Sequence, residues 1–316
     1  MLTAAAIKQR ALAAGFDLCA VAPAEAVPDA GRIAEWMARG YAGDMGYLPR
    51  SARTREDVRR CLPSARSVIV TGTLYNVDRP GSIEITDPGQ AIVSRYAWGD
   101  DYHTVVGRRL DDLLDWMHGE NGAPFEARVC VDTAPVHERA YAQLSGLGWI
   151  GRNGCVISER LGSFLFLGEI VSSLSLVPDA PAADRCGECT LCLEACPTGA
   201  LVEARVLDAR RCLSYLTIEL RREIPPELRA AVGTRVYGCD ICQDVCPWNH
   251  SAPRTSDPAW LPKAGLDAPR LRDLCQRSDA DLDALRHGTA MTRVSSAAFR
   301  RNLSVALENS AGTGRK

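Results

Sequence analysis

The stretch CGECTLCLEACP at residues 186–197 contains four cysteines separated by two, two and three residues, with a proline after the last. Bacterial ferredoxins have this spacing: the first three thiolates bind one [4Fe-4S] cluster and the fourth binds the neighbouring cluster. A second stretch, CDICQDVCP at residues 239–247, repeats the pattern without its first cysteine. The two stretches therefore supply seven thiolates, and a pair of four-cysteine clusters needs one more.

The eighth ligand is expected to be Cys212, the only cysteine between the two stretches. Because the cysteine before each proline binds the other cluster, the spacing predicts crossed ligand sets. The first cluster is assigned Cys186, Cys189, Cys192 and Cys246, and the second is assigned Cys196, Cys212, Cys239 and Cys242.

Zinc sites and disulfides are the alternatives for so many cysteines. Zinc favours separated Cys-x2-Cys pairs over a three-step run that ends in x3-Cys-Pro. Disulfides are not expected, because no hydrophobic signal segment opens the chain and cytosolic thiols stay reduced. The other five cysteines are predicted to be small buried hydrophobic side chains: Cys19, Cys61, Cys130, Cys155 and Cys275.

The composition indicates a soluble, globular, cytoplasmic protein. The 316 residues are enough for two or three domains, 46% of them are hydrophobic, and no apolar run is long enough to span a membrane. The formal net charge of −2 excludes a chain that is basic throughout, so a polyanionic partner must bind to a local basic patch. Only three of the 37 basic residues are lysines, which makes an individual arginine weak support for a binding site.

Hydrophobic periodicity predicts an α+β fold in three regions. Residues 1–177 form an N-terminal α/β domain, residues 178–252 form a ferredoxin-like double [4Fe-4S] domain, and residues 253–316 form a short helical C-terminal region. Helices are expected at 2–14, 31–39, 101–118, 138–145, 279–286 and 295–308. Strands are expected at 16–21, 67–74, 126–131, 155–158 and 163–171.

Two short motifs are misleading in their context. Residues 146–151 match G-x-G-x-x-G, but they follow a helical pattern instead of a strand, so a Rossmann loop is not expected. The segment DYHTVVG at 101–107 nearly matches the D-x-H-x-x-G loop that supplies a histidine to cobalt. Its glycine is one residue late and the segment begins a helix, so His103 is predicted to be structural.

Several strings resemble the epoxyqueuosine reductase family, in the same order along nearly the whole chain. They are DTAPVHER at 132–139, GWIGRN at 148–153, FLGE at 166–169, CLSYLTIE at 212–219 and YGCDICQDVCPWN at 237–249. The resemblance implies an oxidoreductase whose N-terminal domain binds cobalamin and whose electrons pass through two [4Fe-4S] clusters. It would remove the epoxide oxygen of epoxyqueuosine at the wobble position of tRNA, which gives queuosine and completes its biosynthesis.

The resemblance also implies the site residues. Asp132, at the end of a predicted strand, matches the acid that protonates the departing oxygen; a strand-end aspartate that caps the next helix is the alternative. Arg55 matches a contact of the cobalamin. Further contacts around the cofactor are expected from Tyr96, Ala97, Asp132, Arg139, Asn153, Ser214 and Tyr215.

The implied partner is tRNA, bound at its anticodon loop. Two arginine-rich stretches, 50–66 and 286–316, are candidates for the phosphate contacts, and the arginine-rich composition is the alternative origin of either. Longer family members continue into a C-terminal helical-repeat domain, whereas this sequence ends at Lys316, so a smaller tRNA footprint is expected. We further expect a monomer and a separate, unidentified electron donor.

Two other functions remain open at this point. A reductive dehalogenase also combines cobalamin with two such clusters, but it usually has a twin-arginine export signal and a membrane partner, and the sequence indicates neither. A ferredoxin-type electron carrier would have no active site. An N-terminal region with a core of its own is larger than a carrier needs.

Overall fold

The computed structural model describes residues 2–28, 31–263 and 265–313. Its strands are β1 (Leu18–Pro23), β2 (Ser67–Leu74), β3 (Ile92–Val93), β4 (Ala127–Cys130), β5 (Trp149–Ile150), β6 (Val156–Ile157), β7 (Leu165–Ser172), β8 (Leu201–Glu203), β9 (Val206–Leu207) and β10 (Arg235–Tyr237).

Helices connect and cover these strands. They are α1 (Ala4–Ala13), α2 (Gly31–Ala38), α3 (Tyr47–Glu56), α4 (Tyr102–Glu120), α5 (Glu138–Leu144), α6 (Leu191–Glu194), α7 (Leu213–Ile218), α8 (Pro226–Val232), α9 (Ile241–Asp244), α10 (Pro247–His250), α11 (Leu271–Gln276), α12 (Asp279–Arg286) and α13 (Ser296–Thr313). Short 3-10 turns occupy Val58–Arg60, Arg95–Ala97, Ala209–Arg211, Pro258–Trp260 and Ala290–Arg293.

The main sheet has the strand order β1-β2-β7-β4 and is antiparallel throughout. Every residue of β2 is buried, and successive side chains point to opposite faces. Ile69 belongs to the hydrophobic cluster that includes α1 and α4, whereas Val70 packs with Tyr141 of α5. Gly168 of β7 permits the close approach of α4, because a Cβ at this position would lie 2.7 Å from Val106 Cγ1. The sheet is therefore covered on both faces.

The C-terminal region packs against the N-terminal region. Strand β10 pairs in parallel with β3, and the Tyr237 hydroxyl donates a hydrogen bond of 2.7 Å to the Ala290 carbonyl. Phe299 of α13 lies in the same hydrophobic cluster as Ile69 of the sheet. One continuous core thus connects residues from the first and last predicted regions, and the three-domain division stays a prediction.

The predicted mixed fold is confirmed. The strand at 67–74 and the helix at 279–286 have the predicted bounds. Because the main sheet is antiparallel, α+β describes the N-terminal part better than a parallel α/β arrangement. Of the helices in the part of the chain that the structure describes, none has the length and apolar character needed to cross a membrane.

Candidate active site and cluster sites

The cysteines assigned to the first cluster line one cavity. Cys186, Cys189 and Cys192 of the first stretch meet Cys246 of the second around it. The Trp149 indole N–H donates a hydrogen bond of 3.4 Å to the Cys186 Sγ atom. Among the described residues no group of His, Cys, Asp and Glu side chains is arranged to hold a single metal ion. The four thiols instead surround a space between two chain segments, which fits a donor set for a multi-iron cluster.

The second predicted set of cysteines is also brought together. Cys212 interacts electrostatically with Cys196, and Cys242 interacts with both Cys239 and Cys212. The backbone N–H of residue 200 donates a hydrogen bond of 3.3 Å to the Cys196 Sγ atom. Cys155, predicted to be a small hydrophobic side chain, is close enough to Cys212 and Cys242 to interact with them electrostatically as an additional thiol. Its distance in sequence from both cysteine stretches gave no signal of this position.

The loop at 151–155 connects the second cysteine set to the N-terminal region. Asn153, a predicted contact of the cofactor, donates from Nδ2 to the Cys242 carbonyl at 3.1 Å, and its Oδ1 accepts from the Cys155 N–H at 3.1 Å. Arg139 donates from Nη1 to the Gly154 carbonyl at 2.8 Å. Two predicted site residues, Arg139 and Asn153, therefore hold neighbouring parts of one loop.

Asp132 lies just beyond β4 in an unusual backbone conformation. Its φ of +44° falls in the left-handed region, which residues other than glycine seldom adopt. The Glu138 carboxylate accepts a hydrogen bond from the Asp132 N–H and so holds this turn. The Asp132 carboxylate does not cap α5; its Oδ2 atom lies 3.1 Å from the His103 Nε2 atom. The side chain is 54% exposed, so a ligand can reach it.

His103 is the main site residue that the sequence reasoning missed. The Asp101 carboxylate lies 2.7 Å from its Nδ1 atom, and Asp101 also accepts the His103 N–H at 3.0 Å as the N-cap of α4. The imidazole stacks on Tyr102, whose ring stacks on Phe166. The imperfect D-x-H-x-x-G match was the available signal in the sequence. It pointed to this histidine as a ligand of cobalt, whereas the structure shows it in contact with a carboxylate. His103 is part of the site because it contacts Asp132.

The contacts of His103 determine the charges of the pair. Burial lowers the pKa of His103, but hydrogen bonds to Asp101 and Asp132 raise it to about 9. Burial raises the pKa of Asp132, but the hydrogen bonds from His103 and Tyr102 outweigh it and bring this pKa below its usual range. Near neutral pH the imidazole is therefore protonated and the Asp132 carboxylate is ionised.

Two further carboxyl groups lie behind Asp132. Burial and the neighbouring Asp132 raise the pKa of Glu138 to about 7. Glu169 of β7 is fully buried, and neither of its oxygen atoms has a hydrogen-bond partner among the described residues. Burial, followed by the charges of Glu138 and Asp132, raises the pKa of Glu169 well above its usual range. Burial therefore favours the protonated, neutral form of Glu169.

The other predicted cofactor contacts fall into two groups. Arg55 donates to the Val136 carbonyl at 3.0 Å and Tyr96 interacts with Asp132, so both lie close to the Asp132 turn; the buried Ala97 follows Tyr96. The contacts of Tyr215 are with another segment, since its hydroxyl accepts a hydrogen bond of 2.8 Å from the Asp44 N–H. Ser214 precedes it in α7.

The two arginine-rich stretches differ in how their side chains are used. Arg300 forms an ion pair of 2.7 Å with Asp279, and Arg301 donates to the carbonyls of Leu216 and Leu220 at 2.8 Å each. Arg315 and Lys316 lie outside the described residues. In α3, Arg50 and Arg53 are exposed, and within the described residues no hydrogen bond or ion pair engages either guanidinium. The first stretch therefore offers available charge near the site.

Two family models match this chain. Residues 55–133 match "Epoxyqueuosine reductase QueG, DUF1730", and residues 185–249 match a 4Fe-4S double cluster binding domain. The chain is 43% identical to an epoxyqueuosine reductase of Gloeobacter violaceus, over 96% of each chain. It is 36% identical to the Escherichia coli epoxyqueuosine reductase, over 96% of this chain and 80% of that one.

Solved structures with a similar fold agree with these relatives. One is an epoxyqueuosine reductase crystallised with an epoxyqueuosine-modified tRNA-Tyr stem loop. Its TM-score is 0.88 at 30% identity, with 96% of this chain and 80% of that chain covered. Another is a Bacillus subtilis epoxyqueuosine reductase whose catalytic aspartate loop is swung out of the active site. Its TM-score is 0.86 at 29% identity, with 98% of this chain and 82% of that chain covered.

Proposed function

The chain belongs to the epoxyqueuosine reductase family, and we propose that it reduces epoxyqueuosine to queuosine in tRNA by acid-assisted chemistry at Asp132. Removing an epoxide oxygen requires electrons and an acid that protonates the departing oxygen. The chain provides for both, through cysteine sets for two [4Fe-4S] clusters and through a reachable carboxyl group. The observation that carries the proposal is the position of Asp132: its backbone N–H donates a hydrogen bond to the Glu138 carboxylate, and its own carboxylate is hydrogen-bonded to His103.

The enzyme uses two [4Fe-4S] clusters and cobalamin. We assign the clusters to the two cysteine sets, supported by the cavity of the first set and the electrostatic interactions among the thiols of the second. Cobalamin, when bound and reduced, supplies a strong cobalt nucleophile for the epoxide.

The residues around Asp132 fit a ligand that carries many amide groups. Arg55 donates from Nε to Ser51 and from Nη1 to Val136, and Arg139 donates to Gly154, which leaves further N–H donors on both guanidinium groups. We propose that they hold the cofactor together with Tyr96, Ala97, Asp132, Asn153, Ser214 and Tyr215. Both ring nitrogen atoms of His103 are hydrogen-bonded to carboxylates, Nδ1 to Asp101 and Nε2 to Asp132. His103 therefore orients the Asp132 carboxylate and is not a ligand of cobalt.

The substrate is tRNA, bound at its anticodon loop. A wobble base can reach the site only if the loop is splayed, so loop shape and phosphate charge both contribute. We propose that Arg50 and Arg53 of α3 bind phosphates, because they are exposed and their helix also carries Arg55 to the Asp132 turn. The relative bound to a modified stem loop supports a stem loop as a sufficient substrate.

Three further properties belong to this proposal. The enzyme acts as a monomer in the cytoplasm, it takes electrons from a separate donor protein, and its chain divides into a cofactor-binding region at 1–177, a cluster region at 178–252 and a helical region at 253–316. Sedimentation of the reconstituted enzyme with and without the stem loop tests the monomer directly.

An anaerobic assay tests the activity. The protein with both clusters reconstituted, given cobalamin, a reductant and an epoxyqueuosine stem loop, is expected to form queuosine, and omitting cobalamin is expected to abolish the product. Corrin absorbance that stays with the protein through gel filtration would exclude a simple electron carrier. Failure to form queuosine with both cofactors bound would contradict the proposed function.

A further inference from the structure

The reaction needs two protons, but the acid assigned to it is ionised at rest. Both carbon–oxygen bonds of the epoxide break, the oxygen leaves as water, and a carbon–carbon double bond forms. This change consumes two electrons, which the reduced cofactors supply, and two protons. Burial raises the pKa of Asp132, but the hydrogen bond from His103 helps to bring it below its usual range. This carboxylate therefore has no proton of its own to give near neutral pH.

The nearest stored proton is on the adjacent imidazole. Its Nε2 atom lies 3.1 Å from Asp132 Oδ2, and its Nδ1 atom lies 2.7 Å from Asp101 Oδ1. A carboxylate at Nδ1 keeps a proton there, so Nε2 is the nitrogen that can release a proton to Asp132 and take one back. The histidine side chain is 34% exposed, so solvent can reload it.

We propose that His103, oriented by Asp101, is the proton relay that loads Asp132 for each of the two protonations of the departing oxygen. The proposal rests on the proposed function and deepens it. His103 acts through Asp132 and touches no reacting atom itself, so it is a positioning and relay residue.

Substrate binding gives this relay its direction. In the open site an ion pair between imidazolium and carboxylate is tolerated, because the Asp132 side chain is 54% exposed. A bound base and cofactor exclude water, and desolvation favours the neutral forms of both partners. The proton then moves from Nε2 to Asp132, which passes it to the epoxide oxygen. The imidazole takes the second proton from solvent and repeats the transfer.

The other charged groups around the pair do not replace this route. Glu138 accepts the backbone N–H of Asp132, and Glu169 is fully buried in the sheet behind it. Arg139 and Arg293 contribute positive charge near Asp132, and the neighbouring Tyr102 also lowers the pKa of this carboxyl. Glu138 has a pKa of about 7, but its contact is with the Asp132 backbone and not with the carboxylate. Among the described groups, His103 combines a proton that it can release, a direct contact with the Asp132 carboxylate and access to solvent.

The first test is kinetic. Single-turnover queuosine formation by the reconstituted holoenzyme is expected to fall about 100-fold in His103→Gln, which keeps a polar side chain but cannot carry a proton. The double variant His103→Gln with Asp132→Asn is expected to be no slower than Asp132→Asn alone, because His103 acts through Asp132. Multiplicative losses in the double variant would overturn the proposal, as would a wild-type rate in His103→Gln.

The control is another histidine of the same helix. His118 is exposed near the other end of α4 and stacks on Phe125. His118→Gln is therefore expected to leave the rate unchanged. The wild-type rate is expected to decline as pH rises through about 9, where the imidazole loses its proton, and this alkaline limb is expected to disappear in His103→Gln.

The second test needs no turnover. NMR titration of the imidazole groups, with clusters bound but without cobalamin or RNA, is expected to show one histidine with a midpoint of about 9 that is absent in His103→Gln. Asp101→Asn preserves an N-cap residue but removes the charge, and is expected to lower this midpoint. A wild-type midpoint near 6.5 would overturn the relay even if the enzyme is active. An inactive wild-type enzyme with a midpoint of about 9 would contradict only the proposed function.

Discussion

Replacing Arg50 and Arg53 by alanine is expected to weaken stem-loop binding through the loss of two phosphate contacts. Each contact contributes about 0.7–0.9 to the slope of log Kd against log salt, so the double variant is expected to reduce this slope by about 1.4–1.8. At 0.1 M salt, one decade below the 1 M reference, the same numbers correspond to about 25–60-fold weaker binding. Both side chains are exposed and unengaged within the described residues, so the fold is expected to be unchanged.

The assay is fluorescence anisotropy of a labelled anticodon stem loop, measured at several salt concentrations. The charge-matched control is Arg10→Ala with Arg272→Ala, two exposed arginines outside α3, whose slope is expected to stay at the wild-type value. Arg301→Ala is a different control. The Arg301 guanidinium donates hydrogen bonds to the carbonyls of Leu216 and Leu220. Removing this side chain is therefore expected to lower the free energy of unfolding by about 2–3 kcal/mol. An unchanged slope in Arg50→Ala with Arg53→Ala would refute the assignment of the phosphate contacts to α3.

Two further predictions concern the clusters and the buried carboxyl groups. Cys212→Ala is expected to reduce iron and sulfide from about eight each to about four each per reconstituted chain. Cys155→Ser, which changes a thiol outside the predicted sets, is expected to keep about eight of each. Retention of both clusters in Cys212→Ala would show that the assignment of Cys212 as the eighth ligand is wrong. Glu138 has a pKa of about 7 in the folded protein, above the ordinary value of 4.5. Its protonation therefore adds to the free energy of unfolding in full below pH 4.5, and this addition is lost as the pH rises through 7. Chemical denaturation is expected to show a smaller decline of the unfolding free energy over this interval in Glu138→Gln than in wild type, and an identical decline in both proteins would contradict the raised pKa.

The sequence predicted those parts of the structure that depend on local pattern. The β-branched run of β2 and the apolar stripe of α4 were found because each has the period of its element. Helix α3 was missed, since its sequence YLPRSARTRE contains a proline and three arginines and buries only Ala52. Short helices such as α7, with six residues, are held by tertiary contacts that no local pattern shows.

The candidate site divides in the same way. Asp132 was predicted because the strand before it was readable and because the string around it resembled a family. The contact of His103 with Asp132 joins two elements that are 29 residues apart in sequence, so it depends on how α4 crosses the sheet. Arg300 lies in the stretch 286–316 that was a candidate for phosphate contacts, and its ion pair with Asp279 was equally hidden from the sequence, because it is formed only when α12 and α13 pack together.

The most direct test of the account is single-turnover queuosine formation by Asp132→Asn. Asparagine keeps the size of the side chain but has no proton to donate, so the rate is expected to fall about 10²–10⁴-fold. Corrin absorbance and the iron content are expected to equal those of the wild-type protein, which separates a catalytic defect from the loss of a cofactor. A variant that forms queuosine at the wild-type rate with both cofactors bound would contradict acid-assisted reduction at Asp132.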